Sequence, residues 1–352
     1  MVPKMKIALI GANGKLGTEL CFLLKNEVEE IKPIVRNKLG TVFLKFHGFN
    51  CSIGDIHERE DAEKNLSDVD TVLISSYATD PFTGSQTRSS KLINEKLIKN
   101  SVNYSKENST IIYFSTMRAF SHKLDPNTAN FWTKPAYDKE KKHLEHILFS
   151  ECKKRKKRGF ALRIGYVFSK NQPKTRKVIE ELSKRKVIAQ VNPEKKSNVV
   201  HTPTIKNAIL KCLDIKIKPG MYSVVNNPQW TWKDVFEYYK SEQTEITYKP
   251  FTPERKHSSF FWNILKSNKK YLSPLRYYMP SKYDKSIQRK LAIERMMTAI
   301  STLKKEEIFY LDAFDYEPVP GPFLPELDNT KELLKNYSLD IFDVESRTHD
   351  NE

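Results

Sequence analysis

Tyr137 and Lys141 stand four residues apart in a stretch with helical periodicity. At that spacing both side chains lie on one face of the helix, within reach of a single ligand. A phenol of pKa near ~10 is a poor acid or base at neutral pH, but an adjacent ammonium brings it down and makes the pair a proton-transfer device. Thr116, just beyond the β-rich segment Thr110–Ser115, adds a hydroxyl at the end of a candidate strand, where ligands of open α/β sheets bind. Alone, this tyrosine–lysine spacing describes many exposed helix faces; its meaning comes from what surrounds it.

Near the start, Gly11-Ala-Asn13-Gly14-Lys-Leu16-Gly17 follows the short apolar run Lys6–Ile10 and opens an amphipathic stretch. Strand, glycine turn, then helix is the context of a dinucleotide-binding loop: glycine lets the backbone approach a pyrophosphate, and the helix N-terminus offers unpaired N–H groups and a positive dipole end. An oxidised nicotinamide bound there would add a second positive charge near the Tyr137 phenol. A carboxylate for the ribose 2′-hydroxyl of NAD is expected after the second strand, but the chain reads Val35-Arg36-Asn37-Lys38. Arg36 can instead meet a 2′-phosphate through its planar fork, which favours NADP over NAD. Gly54-Asp55-Ile56 closes the third strand, and Asp55 is a candidate acceptor for the adenine amine as well as an ordinary turn residue. Ser75 and Ile164, at the ends of the fourth and sixth candidate strands, complete the expected cofactor-binding set.

The elements that must position these residues alternate. Candidate strands Lys6–Ile10, Ile31–Arg36, Asn50–Ile53, Thr71–Ser75, Thr110–Ser115 and Phe160–Ile164 are interleaved with helices around Leu16–Asn26, Asp61–Leu66, Leu92–Ser105 and Tyr137–Lys153. That order predicts βαβ units and a parallel sheet. Past Ile164 the order loosens: Met221–Val225 reads as a strand, Trp232–Tyr239 as a helix, and Lys285–Leu303 as a helix in a basic, aromatic stretch, before the proline-rich Pro318–Pro325 and an acidic end. The expected division is a nucleotide-binding domain over 1–168, α/β substrate-domain segments over 169–250, and a helical extension with an acidic tail over 251–352.

The glycine loop, Gly54-Asp55-Ile56, Ser115-Thr116, Tyr137-x-x-x-Lys141 and Leu162-Arg163-Ile164-Gly165 occur in the order and approximate spacing of the extended short-chain dehydrogenase/reductases. The chain resembles their NAD(P)-dependent epimerase/dehydratase family, which includes nucleoside-diphosphate-sugar epimerases and reductases. Weaker matches are Asp68-Val-Asp70, Val200-His201-Thr202, Gly220-Met-Tyr-Ser and Trp230-Thr-Trp-Lys-Asp. The resemblance spans about residues 5–240. It implies an α/β fold with a Rossmann-type doubly wound parallel sheet and a smaller substrate domain built from C-terminal segments, a catalytic triad at Thr116, Tyr137 and Lys141, a nicotinamide ribose held by Lys141, and dimerisation through the two helices flanking the site. Two departures limit it. In the 4,6-dehydratases an Asp-Glu pair follows the threonine; here Met117-Arg118 follows, which disfavours dehydration. Arg163-Ile-Gly-Tyr166-Val-Phe-Ser stands where many members read R-P-G-N-V-Y-G.

Composition sets the outer bounds. The chain has 352 residues, 39% hydrophobic, and a net charge of +17, a globular composition that excludes collagen-like, disordered and disulfide-rich classes. The apolar run Ile7–Ile10 is too short for a signal segment, and no run approaches a membrane span, so a cytoplasmic location is expected. Cys21, Cys51, Cys152 and Cys212 are scattered without ligand spacing, so no metal is expected. Residues 151–190 carry 14 Lys/Arg against 3 Asp/Glu, and residues 306–352 carry 3 against 13. The run Lys153–Arg158 has the look of a nucleic-acid patch, yet cations at a helix C-terminus are favoured anyway, and an anionic small ligand suits the charge equally well. The basic, aromatic stretch 255–297 suits either a packed cap or, less readily, an anionic membrane boundary. The expected activity is hydride transfer to or from a hydroxyl or ketone of a sugar, most simply an anionic nucleotide sugar. The other class is a dinucleotide-binding scaffold or redox sensor without turnover, which has no need of Thr116, Tyr137 and Lys141 together.

Overall fold

A computed structural model describes residues 5–79, 86–120, 136–189, 191–249, 318–335 and 337. The expected helix Lys285–Leu303, the basic, aromatic stretch 255–297 and the tail beyond 337 lie outside the described residues. Seven parallel strands form the central sheet: β1 (Lys6–Ile10), β2 (Glu30–Val35), β3 (Ser52–Ile53), β4 (Thr71–Ile74), β5 (Thr110–Thr116), β6 (Arg158–Ile164) and, from further along the chain, β10 (Gly220–Val224). Their order is β10-β6-β5-β4-β1-β2-β3, so the winding reverses between β1 and β4. That reversal opens a crevice at the carboxyl ends of the strands.

Alternation along each strand builds two cores, one on either side of the sheet. Ile7, Leu9, Ile112, Phe114, Phe160 and Leu162 point to one face. There they meet Leu20 and Leu24 of α1 (Lys15–Leu24), Leu44 of the short α2 (Val42–Phe46) and Ile205 and Ile209 of α7 (Thr202–Leu213). Ala8, Ile10, Ile111, Tyr113 and Ala161 point to the other face. They pack on Leu66 of α3 (Arg59–Leu66), Ile98 of α4 (Arg88–Asn103) and Leu144 and Leu148 of α5 (Ala136–Lys154).

A third cluster gathers later segments: Phe168 of β7 (Tyr166–Phe168), Val178 and Leu182 of α6 (Pro173–Leu182), Val187 of β8 (Lys186–Ala189), Val199 of β9 (Val199–His201), and Trp232 and Phe236 of α8 (Trp232–Tyr239). The strands here pair two by two, β7 with β9 and β8 with β11 (Glu245–Tyr248). The C-terminal segment then crosses back. Ser223 of β10 donates its N–H to Pro322 O and its Oγ to Pro320 O, and Thr330, at the start of α9 (Thr330–Lys335), contacts Asn227 and Thr204. The proline-rich stretch is thus a docked strap along the β10 edge of the sheet.

The expected strands and helices recur within a few residues, except that the third strand shortens to Ser52–Ile53. Two residues of the basic run reach the ends of other helices. Lys157 Nζ donates to Val102 O in the last turn of α4 and to Ser105 O just beyond it, and Arg158 Nη2 donates to Asp214 O and Ile217 O beyond the end of α7. Among the described residues no helix is long and apolar enough to cross a membrane, and no His, Cys, Asp or Glu group is arranged to hold a metal.

Candidate active site

The glycine loop is shaped by backbone contact. Gly11 has φ of 82°, a left-handed conformation that favours glycine, and a Cβ there would come within 2.9 Å of Ser76 N. At Gly17 a Cβ would stand 2.3 Å from Gly11 O, so helix and loop could not close together with any side chain. The N-terminus of α1 has no side-chain cap and no acid in its first turn, whereas α4 and α8 carry full capping boxes from Thr87 with Ser90 and from Thr231 with Asp234. Unpaired N–H groups behind a turn that any Cβ would fill are what a pyrophosphate requires, so the residues present fit a dinucleotide.

Beside this loop lies a cleft of about 310 Å³ at the reversal point of the sheet. Of the sequence-derived cofactor set, Gly11, Asn13, Gly14, Arg36, Asp55, Ile56 and Ser75 line it. Leu16 packs half-buried against the core and Ile164 is 5% exposed within it; neither side chain lines the cleft. Arg36 is exposed at the cleft beside Asn37. The third strand also brings a residue that sequence reasoning missed. His57 Nδ1 lies 2.6 Å from Asp55 Oδ1 and its Nε2 lies 2.9 Å from Glu58 Oε1, so His57 fixes the carboxylate expected to meet the adenine.

Thr116, Tyr137 and Lys141 do come together. Thr116 ends β5, and its side chain hydrogen-bonds the Tyr137 phenol at the start of α5. One turn further, Lys141 is buried, and its Nζ donates to Phe114 O at 2.9 Å. Three rings surround that ammonium: Tyr77 at 4.5 Å, Tyr113 at 4.6 Å and Tyr137 at 5.8 Å from Nζ to the centroid. Tyr77, in the loop after β4, is the second residue that sequence reasoning missed. It lines the cleft and meets the Tyr137 ring edge to face at 5.3 Å, so it joins the cleft to Tyr137 and Lys141.

The electrostatics differ from the sequence expectation in one respect. Burial raises the Tyr137 pKa, and the cation that opposes this is Arg118, 5.7 Å from the ring centroid, rather than Lys141. Lys141 itself is pushed down to about 7, because burial disfavours the ammonium more than Glu140 and Glu145 favour it. Glu140 is fully buried, and burial raises its pKa; its Oε1 accepts from Asn94 Nδ2 at 2.7 Å. Asn94 in turn holds both the N–H and the C=O of Ala78, which fixes the Tyr77 loop. Glu145 accepts from Arg163 Nε and Nη2 at 2.9 and 2.6 Å and from Ser115 Oγ at 2.5 Å. A sequence signal for these carboxylates existed. Lys141 and Glu145 share the helix face of Leu144 and Leu148, and charges inside an apolar stripe are buried charges that need partners. After Thr116, Met117 is buried in a small apolar cluster and Arg118 Nε pairs with Asp138 Oδ1 at 3.1 Å.

A protein-family model described as RmlD substrate binding domain matches residues 5–255. No curated protein matches the chain. Among solved structures, UDP-N-acetylglucosamine 4-epimerase from Bacillus cereus superposes with a TM-score of 0.54 at 18% identity, covering 72% of this chain and 88% of that one. The triphenylmethane reductase of Citrobacter sp., complexed with NADP(H), gives 0.52 at 16% identity, covering 80% and 94%. UDP-N-acetylglucosamine 4-epimerase from Methanobrevibacter ruminantium M1 gives 0.50 at 18%, covering 71% and 87%. At such identities the likeness is one of fold. The family match spans most of the chain, and with the Rossmann sheet it makes this protein a member of the RmlD substrate binding domain family within the extended short-chain dehydrogenase/reductases.

Proposed function

We propose that the chain is an NADP-preferring oxidoreductase that transfers hydride to or from a hydroxyl or ketone carbon of a sugar, most simply a nucleotide sugar. The observation that carries the proposal is the joining of two sites. The Thr116–Tyr137 hydrogen bond and the buried Lys141 stand against Tyr77, which also lines the dinucleotide cleft. The nicotinamide, when bound, supplies the hydride acceptor or donor. Tyr137 takes the proton of the reacting hydroxyl in oxidation and returns it in reduction, while Thr116 hydrogen-bonds the same oxygen. Arg118 offsets the negative charge on the phenolate, and the resemblance gives Lys141 the nicotinamide ribose. Gly11, Gly14 and the uncapped start of α1 hold the pyrophosphate, and Arg36 takes the 2′-phosphate.

Three considerations support net reduction over epimerisation or dehydration: Arg36 in place of an acid, the reductase from which the family takes its name, and Met117-Arg118 in place of an acid–base pair. The basic surface suits an anionic diphosphate substrate, and a dimer is the assembly that the resemblance implies.

The test begins with the purified protein, denatured to identify any released nucleotide and, once stripped, titrated with NAD(H) and NADP(H). NADPH binding in the micromolar range, near −8 kcal/mol, is expected, with Arg36→Glu weakening NADP(H) far more than NAD(H). Tightly held NAD+ would instead identify an epimerase that recycles its own hydride. Binding of neither nucleotide would remove the oxidoreductase reading.

A further inference from the structure

The turn and helix between β2 and β3 expose apolar side chains that the core does not use. Leu39, Val42 and Phe46 are 82%, 61% and 80% exposed. They fall at i, i+3 and i+7, hence on one face of the helical stretch. Among the described residues, the other exposed large apolar side chains are spread over separate elements; these three are adjacent.

The face rests on a firm base. Leu44 is fully buried, Phe43 and His47 pack on Phe22 of α1, and Phe22 packs on Phe49 at 5.1 Å. Its charge is of one sign. The stretch 37–54 contains Lys38 and Lys45 and no Asp or Glu, and Lys25 lies over the Phe49 ring.

We propose that this face, Leu39, Val42 and Phe46 flanked by Lys38 and Lys45, docks on an anionic lipid surface and makes the protein a peripheral membrane enzyme. Apolar side chains that enter the headgroup boundary beside lysines that meet anionic lipid form the composition of an interfacial contact. A second copy of the chain fits less well. A twofold contact here would press Lys38 and Lys45 against their own counterparts, and three side chains fall far short of the roughly 800 Å² per partner of a stable interface. The stretch 255–297, considered for this role from sequence, has no part in the argument.

The experiment is co-sedimentation of the full chain with vesicles of phosphatidylcholine alone and of phosphatidylcholine with about one third phosphatidylserine. Binding to the anionic vesicles is expected. Leu39→Ser/Phe46→Ser should weaken it by roughly tenfold, with NADPH affinity and circular dichroism unchanged. Lys38→Glu/Lys45→Glu, a change confined to exposed side chains, should weaken it similarly at low salt and less at high salt, and it keeps the test open if the first variant misfolds. Lys216→Glu/Lys218→Glu, exposed in the loop between α7 and β10, is the control for the net charge of +17 and should change binding little. Equal losses in patch and control variants would reduce the effect to overall charge and overturn the proposal. So would absence of vesicle binding. Loss of a self-associated species in sedimentation equilibrium, with vesicle binding unchanged, would assign the face to a second copy and likewise overturn it.

Discussion

Two buried polar clusters lie in the two halves of this molecule, and they are built on opposite plans. The first surrounds Tyr137 on α5 and mixes buried charges of both signs, Lys141 and Arg163 with Glu140 and Glu145, beside a cleft. The second joins α1, β7, β9, α8 and the C-terminal strap. In it Glu19, fully buried, accepts from Ser169 Oγ and Gln172 Nε2, with Tyr337 OH at 3.4 Å. Beside it His201 Nδ1 lies 3.0 Å from Asn226 Oδ1, and its Nε2 lies 2.9 Å from Tyr239 OH. Both clusters place a carboxylate out of water, so burial alone does not mark a site. What separates them is a cation of lowered pKa against the Tyr137 phenol in one and neutral hydrogen bonding in the other.

The comparison breaks most visibly at Tyr137. Tyr137→Phe removes the phenolic proton but keeps the ring that meets Tyr77, so turnover should fall by about 10³-fold while NADPH affinity stays within about twofold. Steady-state assay with a keto sugar found by screening, paired with cofactor titration, checks both halves. Retained turnover would take Tyr137 out of the chemistry and leave the two clusters without a functional distinction.

Next in size is Glu145→Gln. Arg163 is 4% exposed and donates twice to this carboxylate, so the variant leaves a buried guanidinium without its countercharge. A loss of roughly 3 kcal/mol of stability is expected, readable as an earlier midpoint in urea unfolding.

The two clusters also separate along the pH axis. His201 is pushed down to about 4 by burial, against about 6.5 in the unfolded chain. Between these values the unfolded state binds more protons, so stability should rise with pH through that window, by roughly 3 kcal/mol, and level off above it. Lys141, pushed down to about 7 from an ordinary 10.5, gives a second rise between those values. His201→Gln should flatten the lower ramp alone, and Lys141→Met the upper ramp alone. Denaturation midpoints measured across pH would show whether each ramp belongs to its cluster.

Much of the first cluster's frame was legible in the sequence because its requirements are local. The glycine turn at Gly11 needs a left-handed backbone, and Tyr137 and Lys141 meet through helical spacing alone. Tyr77 and Asn94 were not legible, because their roles arise where the loop after β4 and the helix α4 meet α5. In the second half, β7 pairs with β9 and β8 with β11 through strands of three or four residues, too short to carry a period. In the basic run, Lys157 and Arg158 meet backbone carbonyls that only the folded chain brings near, which agrees with reading its charge as belonging to a helix end.

The smallest effect, and the one that sharpens the comparison most, is expected at Glu19. Burial raises its pKa, and the hydrogen bonds that oppose this come from Ser169, Thr202, Gln172 and Tyr337, all neutral. A group whose pKa is raised on folding contributes stability at low pH and loses that contribution as pH rises through the folded value, so at neutral pH the ionised form carries an uncompensated desolvation cost. Glu19→Gln keeps an acceptor for Ser169 and removes the charge. Stability should therefore be unchanged or higher by up to about 1 kcal/mol at neutral pH, and this gain should vanish as pH falls and the wild-type carboxyl takes up its proton. The same substitution at Glu145, equally buried, costs several times as much and in the opposite direction, because there a guanidinium depends on the charge. A large destabilisation of Glu19→Gln would mean that a cation reaches Glu19, and the second cluster would then be as charged as the first.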